Sequence, residues 1–238
     1  MSKGVVVFDN DDTNIPLRRK GSESILEKTY AEFQMYSWIN LSISKKIVKE
    51  AHIKFKEMFK NNLLNFRDCL MSGRSVFIYS NGPAQWFYCA LFTFMQLSNL
   101  RKYLPGVKIV GVRISKTVKL IPDLNIQSPE ESVNHRLAHL GVLKSKLVDD
   151  VITGMPKKLE PNTIYIMCKP ADCSKMALID IFQRYKLPVL CIDDSKDNLK
   201  KFKDCGYDTL DCCLRTKDLT NKTSSDTRKH LLKWLSEH

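Results

Sequence analysis

Val5-Val6-Val7-Phe8-Asp9-Asn10-Asp11-Asp12-Thr13 sets four apolar residues directly against an Asp-x-Asp-x-Thr cluster. Val and Phe favour a pleated surface, and polar turn formers bound the run, so it predicts a short buried strand. The acidic cluster then stands at the carboxyl end of that strand, where open α/β sheets place their ligand sites. Like charges this close repel each other, and burial adds to the cost. A divalent cation offsets both effects. Mg²⁺ takes oxygen ligands, commonly one or two carboxylates together with phosphate. The plain alternative is a strand followed by an Asx-rich turn.

Further strands are predicted at 75–79, 107–114, 163–168, 188–192 and 207–214, from short runs rich in Val, Ile and aromatic residues. Helical patterns alternate with them. Ile43, Ile47, Ala51, Phe55 and Phe59 recur every four residues, with lysines on the other faces, predicting an amphipathic helix near 43–64. Ser24 and Glu27 have capping-box spacing and open a helix near 24–41. Residues 86–100, 128–151, 175–185 and 227–237 read as helices, and 216–227 as a polar loop. Strands alternating with helices argue for a parallel sheet with helices on both faces.

Two more strand ends carry chemistry. Ser80-Asn81-Gly82 offers a hydroxyl and accessible backbone N–H groups, a corner that can hold a phosphate oxygen or form an ordinary turn. Asp193-Asp194-Ser195-Lys196-Asp197-Asn198 is a second acidic strand end, beyond what a helix cap alone requires. Lys175 stands in the first turn of a helix, which the helix dipole disfavours unless the ammonium faces an anion. Lys169 is the alternative cation. His135 and His139 are four apart, but no acidic residue sits between them in a zinc-protease arrangement, so they read as surface histidines.

The chain has 238 residues and a net charge of +12, with a pI of about 9.3. That balance fits either a solvated basic surface or an acidic partner such as nucleic acid or phosphoprotein. The eight cysteines form no Cys-x-x-Cys pair and complete no zinc set, which points to reduced thiols in an intracellular compartment. No signal peptide is read at the N-terminus, and the longest apolar run, 86–95, is too short to span a bilayer. A soluble, intracellular protein without membrane insertion is expected.

In their order along the chain, Asp9-x-Asp11-x-Thr13, Ser80-Asn81, Lys175 and Asp193-Asp194 resemble the motifs of the haloacid dehalogenase (HAD) superfamily. The resemblance spans about residues 4–206. It implies a Rossmann-like doubly wound parallel sheet, with a core formed by 1–14 and 70–238 and a small helical cap inserted at 15–69. Segment 115–160 would be a second insertion. The resemblance further implies a Mg²⁺-dependent phosphatase acting on a phosphorylated small molecule, a phosphoprotein or a nucleic-acid end. Asp9 would be the nucleophile and Asp11 the acid and base. Thr13 would orient the loop, with Ser80, the Asn81 backbone and Lys175 holding the phosphate. Mg²⁺ would be bound by Asp9, the Asp11 main-chain carbonyl and Asp194. Asp193 would position Lys175, and Asn198 would lend support. Asn14 and Asn198 depart from the family pattern, which usually has an apolar residue and frequently an acid there. The rival class is a HAD-like interaction or assembly protein without catalysis, of the kind found in large DNA viruses.

Overall fold

The computed structural model describes residues 1–10, 13–16, 25, 41–79, 91, 93–97, 100, 108–110, 156–167, 180–212 and 221–238. Six strands form one sheet: β1 (Val5–Asp9), β2 (Ser75–Tyr79), β3 (Lys108–Val110), β4 (Ile164–Met167), β5 (Val189–Asp193) and β6 (Asp208–Asp211). Their order is β3-β4-β2-β1-β5-β6, and every neighbouring pair is parallel. The helices whose bounds are described are α1 (Leu41–Lys54), α2 (Lys56–Met71), α3 (Asp180–Gln183), α4 (Lys196–Asp204) and α5 (Asn221–Glu237), and residues 93–97 are also helical.

A parallel sheet is buried on both faces, and its strands therefore read as continuous apolar runs. β1, β2 and β5 are buried at every residue. Alternate side chains serve opposite faces. On one face Val6, Phe8, Val76, Ile78, Ile164, Ile166, Leu190 and Ile192 pack with Ile47 and Ala51 of α1, Phe59, Phe66 and Leu70 of α2, and Leu231 and Trp234 of α5. On the other, Val5, Val7, Phe77, Tyr79, Tyr165 and Cys191 pack with Phe182 of α3 and with Leu199 and Phe202 of α4. The sheet is thus an α/β arrangement with helices on both sides.

Most of α1 and α2, residues 41–69, falls in the segment 15–69 expected as a cap. Their apolar faces join the same buried cluster as β1, β2, β4 and β5, so this stretch packs as a layer of the sheet. The helix expected over 43–64 is two helices that meet at Phe55, whose φ of −123° leaves the helical range. The second runs on to Met71, because Asn62 and Asn65 break the apolar pattern in sequence yet are buried and hydrogen-bonded in the fold. The loop expected over 216–227 is corrected over 221–227, since α5 starts at Asn221 in a polar stretch that gives hydrophobic periodicity nothing to register, while 216–220 lie outside the described residues. Arg228 of α5 fastens it to α2, donating to Asp68 Oδ2 (2.6 Å) and Asn65 Oδ1 (3.1 Å). Among the described residues no helix is long and apolar enough to cross a membrane.

Candidate metal centre at the carboxyl edge of the sheet

β1 connects to β2 through α1 and α2, which lie on one face. β5 neighbours β1 on its other side and connects to β6 through α4, which lies on the opposite face. The chain therefore leaves β1 and β5 in opposite directions and on opposite faces, which makes their carboxyl ends a topological switch point. In open α/β sheets this switch point is where ligands bind. Phe8 pairs with Ile192, so the two strands end level. Asp9 closes β1, Asp193 closes β5, and Asp194 follows. One carboxylate oxygen from each of Asp9, Asp193 and Asp194 lies within 4.8 Å of the other two. Asp9 and Asp193 are buried and Asp194 nearly so.

Negative charges at such separations repel by roughly 3–4 kcal/mol per pair at an effective dielectric constant of about 20. The fold answers part of that cost with hydrogen-bond donors. Asp193 Oδ2 accepts from the Tyr79 hydroxyl (2.6 Å) and from Asn198 Nδ2 (3.0 Å), while Oδ1 accepts from the Ser195 N–H (2.8 Å). Ser195 caps α4, its hydroxyl accepting from the Asn198 N–H. Gly206, with φ of +82°, then ends that helix in the left-handed conformation that glycine tolerates and turns the chain into β6. Burial pushes the Tyr79 phenol far above its ordinary pKa, and the acidic groups of Cys191, Asp193 and Asp9 push it further. The hydroxyl accordingly remains a donor throughout the neutral range.

The loop after β1 has its own supports. Asn14 and Ile15 N–H groups both donate to the Asn10 carbonyl (3.1 and 3.0 Å), closing a turn. The amide of Asn62, on α2, donates to the carbonyls of Thr13 (2.8 Å) and Asn14 (3.2 Å). The Thr13 hydroxyl faces Asp9 Oδ2 at 3.5 Å and accepts from the Cys212 thiol at 3.4 Å. Burial pushes the Cys212 thiol well up in pKa, so it stays protonated and can donate.

Of the residues singled out in sequence, the structure brings together Asp9, Thr13, Asp193, Asp194 and Asn198. Asp11, Ser80, Asn81, Lys169, Lys175, His135 and His139 lie outside the described residues. Asn14 is buried, and both its backbone groups bond within the loop or to α2. Sequence reasoning missed Tyr79, Asn62 and Cys212. Asn62 carried a signal: with Phe59 and Phe66 it falls on one helical face, a polar residue in an apolar stripe. Tyr79 carried a weaker one, a phenol at the last position of a fully buried strand. α1 also bears the expected lysine face, where Lys45, Lys46, Lys49 and Lys54 line a hollow with Glu50 and Ile53. No protein-family model, curated protein or solved structure matches the chain.

Proposed function

We propose that the chain is a Mg²⁺-dependent phosphatase of haloacid dehalogenase type, built on a Rossmann-like doubly wound core and working through an aspartyl phosphate. One observation carries the reading: two acidic strand ends from opposite ends of the sequence meet at the switch point of a parallel sheet, with carboxylate oxygens within 4.8 Å. Clustered carboxylates suit a hard divalent cation, and Mg²⁺ keeps room for water and substrate phosphate. Asp9 and Asp194 would hold it, together with the main-chain carbonyl of Asp11 that the motif resemblance supplies. When bound, the ion neutralises charge on the phosphate and so permits an anionic nucleophile to approach.

In this reading Asp9 attacks phosphorus, the ester P–O bond breaks, and the leaving oxygen takes a proton from Asp11. Asp11 then takes a proton from a water whose oxygen attacks phosphorus. The acyl–phosphate bond breaks, inorganic phosphate leaves and the Asp9 carboxylate is restored. Thr13, at 3.5 Å from Asp9 Oδ2, would limit the rotation of that carboxylate. Ser80, the Asn81 backbone and Lys175 would hold the phosphate, as the motif order implies. The lysine-lined hollow on α1 supports an anionic substrate or partner, nucleic acid or phosphoprotein among them.

The test is hydrolysis of p-nitrophenyl phosphate with Mg²⁺ and after its removal by chelator. Wild type should turn over only with the metal, and Asp9→Asn should fall to background. Equal rates for the two proteins would sink the enzyme reading and favour the interaction or assembly class.

A further inference from the structure

We propose that Tyr79, with Asn198, is a positioning residue that sets the cation affinity of this centre by clamping Asp193; the inference rests on the cation-binding reading of the site. Tyr79 pairs with Asp9 across β2 and β1, and the Phe8–Ile192 pair brings Asp193 of β5 to the same level. β2 and β5 are separated by two strand spacings, about 9–10 Å. The Tyr79 side chain therefore passes beneath the end of β1 to donate to Asp193 Oδ2 at 2.6 Å. Its ring is held edge-on against Phe202 of α4, with centroids 5.9 Å apart. Asn198 donates to the same oxygen from the first turn of α4, and the Ser195 N–H fixes the other.

Donors from two separate elements thus lock the plane of the Asp193 carboxylate. Without them, repulsion from Asp9 and Asp194 would turn it away from the cluster. A neutral phenol holds the Asp193 carboxylate in place without adding a charge of its own, so Asp193 stays beside Asp9 and Asp194 as the third carboxylate of the cluster that a cation meets. Partners that orient a metal-binding group through a hydrogen bond typically change metal affinity by about 10–100-fold when removed.

Tyr79→Phe keeps the ring, its volume and its packing on Phe202, and deletes only the hydroxyl. The experiment titrates the full chain with Mn²⁺ alone, followed by calorimetry, for wild type, Tyr79→Phe, Asn198→Ala and Asp9→Asn. Wild type should bind, Asp9→Asn should not, and the two clamp variants should bind at least about tenfold more weakly. Far-UV circular dichroism should be unchanged in the clamp variants. A role confined to packing would lower the melting temperature without moving the Mn²⁺ dissociation constant. If Tyr79→Phe binds within twofold of wild type, the inference fails while the cation site stands. Should that variant not fold, Asn198→Ala decides on the same criterion, since it removes the second donor to the same oxygen from a partly exposed helix position. If wild type itself binds no Mn²⁺, the underlying cation reading fails, and the clamp proposal fails with it.

Discussion

Replacing Asn62 by Ala tests whether α2 holds the loop that follows β1. The side-chain amide donates to the carbonyls of Thr13 and Asn14, at 2.8 and 3.2 Å. Both acceptors are carbonyl oxygens, which fixes the nitrogen, and not the oxygen, as the atom that faces them. Each such bond contributes about 0.5–1.5 kcal/mol net, so the pair contributes about 1–3 kcal/mol. Thr13 and Asn14 are themselves buried, so their carbonyls lose a partner where water reaches them poorly and the upper half of that range applies. Ala is the better helix former and returns about 0.6 kcal/mol. The expected loss is about 2 kcal/mol.

Urea denaturation measures it, as a lower midpoint with an unchanged slope. Lys60→Ala, on the exposed face of the same helix, should stay within about 0.5 kcal/mol of wild type. Asn62→Asp separates hydrogen bonding from packing. It keeps the shape but sets a carboxylate against two carbonyl oxygens, so at neutral pH it should cost more than Ala. Its folded pKa would be raised, and the extra cost should shrink as the pH falls and the group protonates. A loss under 0.5 kcal/mol for Asn62→Ala, or an Asp variant no worse than the Ala variant, would refute the argument.

Two further predictions follow from burial. Phe66 is fully buried between Phe8 and Phe94, with centroids at 5.7 and 5.6 Å, so Phe66→Ala should cost about 3–5 kcal/mol and lower the melting temperature by roughly 10 °C; a loss below 1 kcal/mol would contradict that packing. Burial pushes the Cys69 and Cys212 thiols up from the ordinary value of 9.0, so the folded chain keeps protons that the unfolded chain releases. Their contribution is complete below about pH 9 and is lost as the pH rises, at about 1.4 kcal/mol per pH unit for each thiol. Denaturant titrations above about pH 9.5 should show that decline, and Cys69→Ala should remove one thiol's share of the slope; an unchanged slope would overturn the assignment.

The strands were legible because burial on both faces demands continuous apolar runs, and 5–9, 75–79 and 189–193 offer little else. The acidic ends were legible for a related reason. Charges stand out where such a run stops, and Asp9 and Asp193-Asp194 do meet. What sequence hid is what is not local. The order of six parallel strands depends on pairings between distant segments, which no periodicity encodes. The extent of α2 was hidden by Asn62 and Asn65, polar residues that the pattern counts as surface. Their partners, the Thr13 carbonyl and the Arg228 guanidinium, come from elsewhere in the chain and complete them only after folding.

The same distinction bears on the plain alternative for the first stretch. A strand followed by an Asx-rich turn draws its hydrogen bonds from residues a few positions away. Part of this centre is of that kind: the Asn10 carbonyl with Asn14 and Ile15, and the Ser195 cap with Asn198. The rest is not. Asn62 reaches the Thr13 carbonyl from 49 positions along, Tyr79 reaches Asp193 across 114, and Cys212 reaches the Thr13 hydroxyl across 199. A turn would need none of these. They tie α2, β2 and the end of β6 to the two acidic strand ends, each fixing a group beside a carboxylate or the carboxylate itself. One of these long-range donors lands on a buried carboxylate and two on the Thr13 loop beside Asp9, and together they hold an arrangement that local chemistry would let spread apart. A cation between those carboxylates would use that restraint, and this is why the Mn²⁺ titration is the more direct test of the site than any search for a substrate.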